Sequence, residues 1–249
     1  MTDQLSRRRL LALLPVGALA ACTTADQEAI LGAVLSGTGP TGGAGGLTSA
    51  EAAQGIRAAL DQGIMAAISQ VGRTNGYFQD GRIRIPLPGQ LANIQSQLRP
   101  LGLSGLLDDL ELQLNRGAEQ AAPQARSIFS NAIRSLTISD AIGIVNGGPT
   151  SATDYFERRT TPALTQLFRP TLESALQRAG AIQTFDQLVG RMRNIPLAPQ
   201  LGADAKSDLI THGVERGLGG LFYYIGQEEA AIRANPAKRG SEILRRVFG

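Results

Sequence analysis

Residues Asn115–Thr161 read NRGAEQAAPQARSIFSNAIRSLTISDAIGIVNGGPTSATDYFERRTT. The segment is rich in alanine, and its apolar positions (Ala118 and Ala121, then Ile128, Phe129, Ala132 and Ile133) return at helical spacing. Its interruptions are those of helices. Pro123 lacks an amide hydrogen and clashes with the preceding turn, so it kinks or restarts the chain there. Thr137 stands three residues before Asp140, and Ser151 three before Asp154; each pair predicts a helix start, with Asn146-Gly147-Gly148 closing the helix between them. The stretch also gathers Arg116, Glu119, Arg126, Asp140, Asp154, Tyr155 and Arg158, which makes it the predicted centre of any functional surface.

Helical periodicity continues on both sides. Upstream, Thr48-x-x-Glu51 has the form of a capping box. It precedes Ile56, Leu60, Ile64, Ala67, Ile68 and Val71, and Gly72 ends that helix. Gly76–Pro88, GYFQDGRIRIPLP, departs from the pattern: basic and apolar residues alternate and two prolines follow. We expect an irregular segment lying over the helical core, with at most one short strand or hairpin arm. Helix resumes over Pro88–Arg99 and Ser104–Ala122, where Leu107, Leu110, Leu114, Ala118 and Ala121 form a core stripe and Leu112, Asn115 and Glu119 a second one.

Downstream, Pro162 is placed to open a helix over Ala163–Ala179 that bends at Pro170. A shorter helix follows over Thr184–Arg193, and Asn194–Gly202 is a loop. From Asp204 to Asn235, Ile210, Val214, Leu218, Leu221, Phe222 and Ile225 form one face; Gly213 and Gly217 beside it leave room for another helix to approach. Ser241 is predicted to cap a final turn with Ile243, Leu244, Val247 and Phe248.

Composition agrees with an all-α fold. The 249 residues are 43% hydrophobic but only 4% aromatic, with no Trp, so the core should be aliphatic with helices packed through small side chains. One Cys and one His, Cys22 and His212, exclude an internal disulfide and thiolate-rich metal or iron–sulfur sites. His212 follows Asp208 by one helical turn, yet no second His or dense acidic loop completes a metal site, and no cofactor is expected.

The N-terminus reads as an address. MTDQLSRRRLLALLPVGALAAC has a basic start, a short apolar run, and Leu19-Ala20-Ala21-Cys22, which resembles the bacterial lipobox in which the cysteine is acylated and becomes the mature N-terminus. Ser6-Arg7-Arg8-Arg9-Leu10-Leu11 resembles a twin-arginine export signal, and three arginines also suit an ordinary basic start. Thr23 after the cysteine points to the outer membrane. Residues 1–21 are thus read as a signal peptide, 22–47 as a lipidated N-terminus with a Gly-rich flexible linker, and 48–249 as one compact multi-helix domain. Removing residues 1–21 takes away three basic and one acidic residue and leaves a net charge of +1 in place of +3, which gives no support to a nucleic-acid partner.

In order along the chain, GYFQDGRIRIPLP, NRGAEQAAPQARSIFSNAI, DAIGIVNGG, SATDYFERRTTPAL, GLFYYIGQEEAAIRANP and EILRRVFG resemble the bacterial envelope family catalogued as domain of unknown function 4197, over about Thr48 to Gly249. The resemblance implies an exported helical protein, lipidated or periplasmic, with no established activity.

Within the domain the candidate ligand or partner residues are Arg116, Glu119, Asp154, Tyr155, Arg158, Glu228, Glu229 and Arg233. Glu229 and Arg233, like Asp154 and Arg158, are four apart in the favourable order for a helix ion pair. Adjacent Glu228 and Glu229 point to different helix faces, so a catalytic carboxylate pair would have to come from Glu119, Asp154 and Glu228 brought to one cleft. The expected function is binding through a helical groove, without catalytic residues, by a protein held through Cys22 on the periplasmic side of the outer membrane. A lipid, a small molecule or an envelope protein is the expected partner. The competing expectation is an envelope hydrolase or lyase acting through carboxylates and arginines.

Overall fold

The computed structural model describes residues 49–181 and 205–234, together with 183, 186, 187 and 190. Regular structure among them is entirely helical: α1 (Ser49–Val71), α2 (Gly89–Leu98), α3 (Gly105–Ala121), α4 (Arg126–Arg134), α5 (Ile138–Asn146), α6 (Ser151–Arg178) and α7 (Ala205–Ala234). Short 3₁₀ turns, Arg99–Leu101 and Ala122–Ala125, join α2 to α3 and α3 to α4. The expectations for the signal peptide, Cys22, the linker, the Thr48 cap, the 194–202 loop and the turn after Ser241 lie outside the described residues. Of the helix expected over 184–193, residues 186, 187 and 190 are described, and all three are helical.

Long α7 packs against α1 on one side and α6 on another, and α3 lies across α6. The aliphatic, small-residue packing is present in buried Ala52, Ala53, Ala59, Ala67, Ala118, Ala121, Ala122 and Ala125. The few aromatics occupy its middle. Phe129 meets Phe156 and Phe222 edge to face at 6.2 and 6.1 Å, the arrangement that ring quadrupoles favour. Glycines set how closely the helices approach. A methyl on Gly213 would lie 2.5 Å from Leu114 Cδ1 and 2.7 Å from Leu172 Cδ2, and one on Gly117 would lie 3.1 Å from the Leu172 Cα, so α3, α6 and α7 meet nearly backbone to side chain.

Two helix boundaries differ from the sequence reading. Pro162 opens no new helix: α6 runs unbroken from Ser151 to Arg178 through both Pro162 and Pro170. Hydroxyl groups beside each proline add donors to the neighbouring turns, Thr160 to the Phe156 carbonyl, Thr161 to Glu157 and Thr171 to Leu167. Buried Leu164, Phe168, Leu172 and Leu176 hold the helix against the core across both positions. Nor does Ser151 cap α6. It is the first helical residue, and its hydroxyl donates backward to the Ile144 carbonyl at 2.7 Å. At α5 the sequence reading stands: Thr137 and Asp140 form a reciprocal capping box, each side chain accepting the other's amide at 3.0 Å.

Candidate functional site

Steps of three and four residues along α3 place Asp108, Glu111, Asn115 and Glu119 on one face, beside the apolar stripe. Three of them are buried, and each is occupied. Asn115 accepts the Ile85 amide at 2.9 Å and donates to the Ile85 carbonyl at 2.8 Å, supplying the backbone pairing that a neighbouring strand would give. Glu111 takes Arg84 Nε at 2.7 Å and Gln95 Nε2 at 2.8 Å. Asp108 takes the Ser104 hydroxyl, Gln95 and Arg99, and these hydrogen bonds, that from Ser104 foremost, hold its carboxyl below the usual carboxylate range.

Glu119 terminates this row. Its Oε1 accepts the amides of Tyr77 and Phe78, both at 3.2 Å, and Oε2 takes Arg116 at 2.6 Å. Arg116 reaches on to the side chain of Asn75 at 2.7 Å, where the chain turns through a left-handed conformation with φ 65°. Tyr77 is fully buried and donates its hydroxyl to the Gly217 carbonyl at 2.7 Å; burial first, and the Glu119 charge second, push its pKa well up. His212 Nε2 lies 3.0 Å from the Pro86 carbonyl. The segment 72–88 therefore covers the core as expected, but as turns pinned by side chains, with no strand among the described residues.

A second cluster is built where α5 meets α6. Glu229, on α7, accepts the amides of Ala152 at 3.0 Å and Thr153 at 2.8 Å, and the Thr153 hydroxyl at 2.7 Å. A carboxylate from another helix thus caps α6, facing the positive end of its dipole. Arg233 pairs with Glu229 at 2.8 Å and donates to the Ile144 carbonyl at 2.8 Å and the Ser151 hydroxyl at 2.7 Å. One ion pair therefore holds the end of α5 and the start of α6 against α7. Beside it lies an apolar cleft of about 40 Å³ between α1, α5, α6 and α7, lined by Ile56, Leu60, Ile64, Phe156, Ile225 and Ile232 among others.

A third group sits where segment 72–88 crosses α7. Asp80 holds Arg82 at 2.9 Å through Nε and Nη2 and also accepts the Tyr224 hydroxyl; these bonds, Arg82's foremost, keep its carboxyl far below the usual range. The Arg82 guanidinium lies over the rings of Tyr224 and Tyr223, at 5.4 and 6.0 Å.

The eight candidate residues thus separate. Arg116 and Glu119 belong together, as do Glu229 and Arg233, but the two pairs do not share a cleft. Tyr77, held by Glu119, touches α7 at Gly217, and Glu229 lies 12 residues further along, about 18 Å of helix. Asp154 and Arg158 are exposed and form no ion pair with each other; Asp154 accepts the Thr150 hydroxyl at 3.2 Å instead. Tyr155 presents its ring to Phe156 at 5.3 Å; burial first, and then the nearby Asp140 carboxylate, raise its pKa. Glu228 is half-buried on α7, with its Cβ beside Gly63 of α1. Glu119 and Asp154 are engaged at different places in the fold, Glu119 with the Tyr77 and Phe78 amides and Asp154 with the Thr150 hydroxyl.

Tyr77, Asp80, Arg82, Arg84 and Glu111 were absent from the sequence-derived set. A signal for Glu111 existed in its four-residue step to Asn115 and Glu119, which the stripe written through Leu112 passed by. Among the described residues no group of three His, Cys, Asp or Glu side chains converges as metal ligands would, and no single helix is long and apolar enough to cross a membrane.

The geometry defines an all-α helical domain whose conspicuous polar residues brace a covering segment and a helix corner. Residues 46–249 match the model of the family described as protein of unknown function (DUF4197), and the chain belongs to that family. No curated protein and no solved structure matches it.

Proposed function

We propose that this chain is a bacterial envelope protein, acylated at Cys22 and held on the periplasmic side of the outer membrane, that acts by binding and not by catalysis. The cleft between α1, α5, α6 and α7, at about 40 Å³, takes only a short apolar tip of a lipid, a small molecule or an envelope protein, the rest of the partner lying outside it. One observation carries this reading: the cleft walls are aliphatic and aromatic, and Glu229 and Arg233 at its edge are already engaged with the backbone of the α5–α6 corner. Glu119 and Glu229 each hold two backbone amides and a guanidinium, so both carboxylates are committed to bracing the fold.

Native mass spectrometry of the chain purified gently from its own envelope tests the binding reading. A co-purifying apolar molecule is expected, and Ala59→Phe, which fills the cleft wall, is expected to remove it. A ligand-free mass for the unaltered chain would count against a lipid or small-molecule occupant. The anchor has a separate test. Cys22→Ala is expected to move the protein from the membrane fraction to the soluble one, and unchanged retention would refute acyl anchoring.

A further inference from the structure

Leu101, Leu103 and Leu106 are 69%, 64% and 40% exposed, three of the five large hydrophobic side chains exposed among the described residues. They fall within six consecutive positions, Leu101 and Leu103 on the turn between α2 and α3 and Leu106 in the first turn of α3. Leucines scattered singly over a surface need no explanation, but three so close together form a patch.

This turn is held in place. Gly102, at φ 68°, reverses the chain, its amide bonding to the Arg99 carbonyl and that of Leu103 to the Leu98 carbonyl, both at 3.1 Å. Ser104 is buried and donates to Asp108 at 2.6 Å, while Asp108 also receives Gln95 and Arg99. A braced turn thus presents the leucines outward, and the Arg99 side chain beside it in sequence is 60% exposed and paired with Asp108 at 3.2 Å.

We propose that this turn is a membrane-contact tip: Leu101, Leu103 and Leu106 enter the acyl-chain region of a lipid bilayer, and Arg99 stays at headgroup level. The proposal rests on the reading that Cys22 holds the chain at a membrane. The 26 residues between Cys22 and Ser49 can span at most about 90 Å, and α7, the longest described helix at 30 residues, measures about 45 Å, so the attachment leaves the turn within reach of the bilayer. Side-chain chemistry favours lipid over protein. Strong protein-binding centres are built on large aromatic residues and seldom on Leu, and residues 99–106 contain no aromatic, whereas exposed leucines suit hydrocarbon.

The chain contains no Trp, so one introduced Trp is an unambiguous reporter. The experiment compares full chains carrying Leu103→Trp or Tyr223→Trp, anchored in phosphatidylcholine vesicles with brominated acyl chains. Tyr223 is exposed but lies on α7, away from the turn. For Leu103→Trp, emission is expected to move to the blue and to be quenched at least about twofold more than for Tyr223→Trp. Adding Leu101→Ser and Leu106→Ser is expected to abolish the difference. Equal, unquenched emission from the two reporters would overturn the proposal. So would a blue shift that needs no vesicles and grows with protein concentration, since that reports a protein partner. Anchor and tip are separable: release by Cys22→Ala with no quenching in anchored Leu103→Trp leaves the anchor and removes the tip. Quenching that persists when Cys22→Ala fails to release the chain does the reverse.

Discussion

Glu229→Ala is expected to lower the stability of the fold by about 3 kcal/mol, read as a drop in the midpoint of urea denaturation at unchanged slope. The carboxylate is 7% exposed and serves three purposes: it accepts two amides of the first turn of α6, takes the Thr153 hydroxyl and neutralises Arg233. Its removal leaves two buried donors without an acceptor and a guanidinium, itself 20% exposed, without its counter-charge. Each loss costs more than the net worth of a hydrogen bond, because nothing replaces the solvation given up on folding. Glu229→Gln keeps the shape and one acceptor oxygen and should cost less, about 1 to 2 kcal/mol. A double-mutant cycle with Arg233→Ala is expected to show strong coupling, since both residues act on one corner. A cost for Glu229→Ala below about 0.5 kcal/mol, the usual range for a surface change, would mean that the corner holds without it.

The second large effect is local as well as global. Glu119→Ala is expected to cost about 3 kcal/mol and to speed hydrogen exchange at the Tyr77 and Phe78 amides far more than in α6. Those amides depend on Glu119 Oε1 alone among the bonds formed there, and Arg116, which fixes Asn75 in its left-handed turn, loses its partner in the same step. The rest of the segment has its own attachment in Asn115, which holds both backbone groups of Ile85, so the core beneath should stay folded while the 72–80 end opens. Exchange accelerated uniformly through all helices would contradict this division. Both outcomes bear on function, for they account for the conspicuous acidic residues without assigning them chemistry.

The candidate residues were chosen for polarity on helical sequence, and that criterion found braces. From spacing alone, Glu229 and Arg233 are a helix ion pair and nothing more. The carbonyl of Ile144 and the amides of Ala152 and Thr153, which give the pair its importance, lie more than 75 residues away in the chain. Asp154 and Arg158 had the same spacing and formed no pair, because both are solvent-exposed and a contact there gains little. Ser151 was the natural cap by residue type. A buried carboxylate from α7 took over the amides of that turn, leaving the serine hydroxyl for Ile144.

Neighbours along the chain are enough to set one group of this protein's properties. The all-α class follows from periodicity, the capping box at Thr137 and Asp140 from a three-residue step, the restart at Pro123 from a missing amide hydrogen, and the irregular 76–88 segment from its alternation and prolines. The family follows from the ordered motifs. Only the tertiary structure decided the rest. It carried α6 through two prolines by packing Leu164, Phe168 and Leu172 into the core, set Glu119 and Glu229 to separate tasks on α3 and α7, and left three leucines facing outward where the α2–α3 turn enters α3. Local rules describe what a few consecutive residues prefer. Burial, long-range hydrogen bonding and exposure depend on which distant surfaces meet, and those contacts form only when the whole chain is packed.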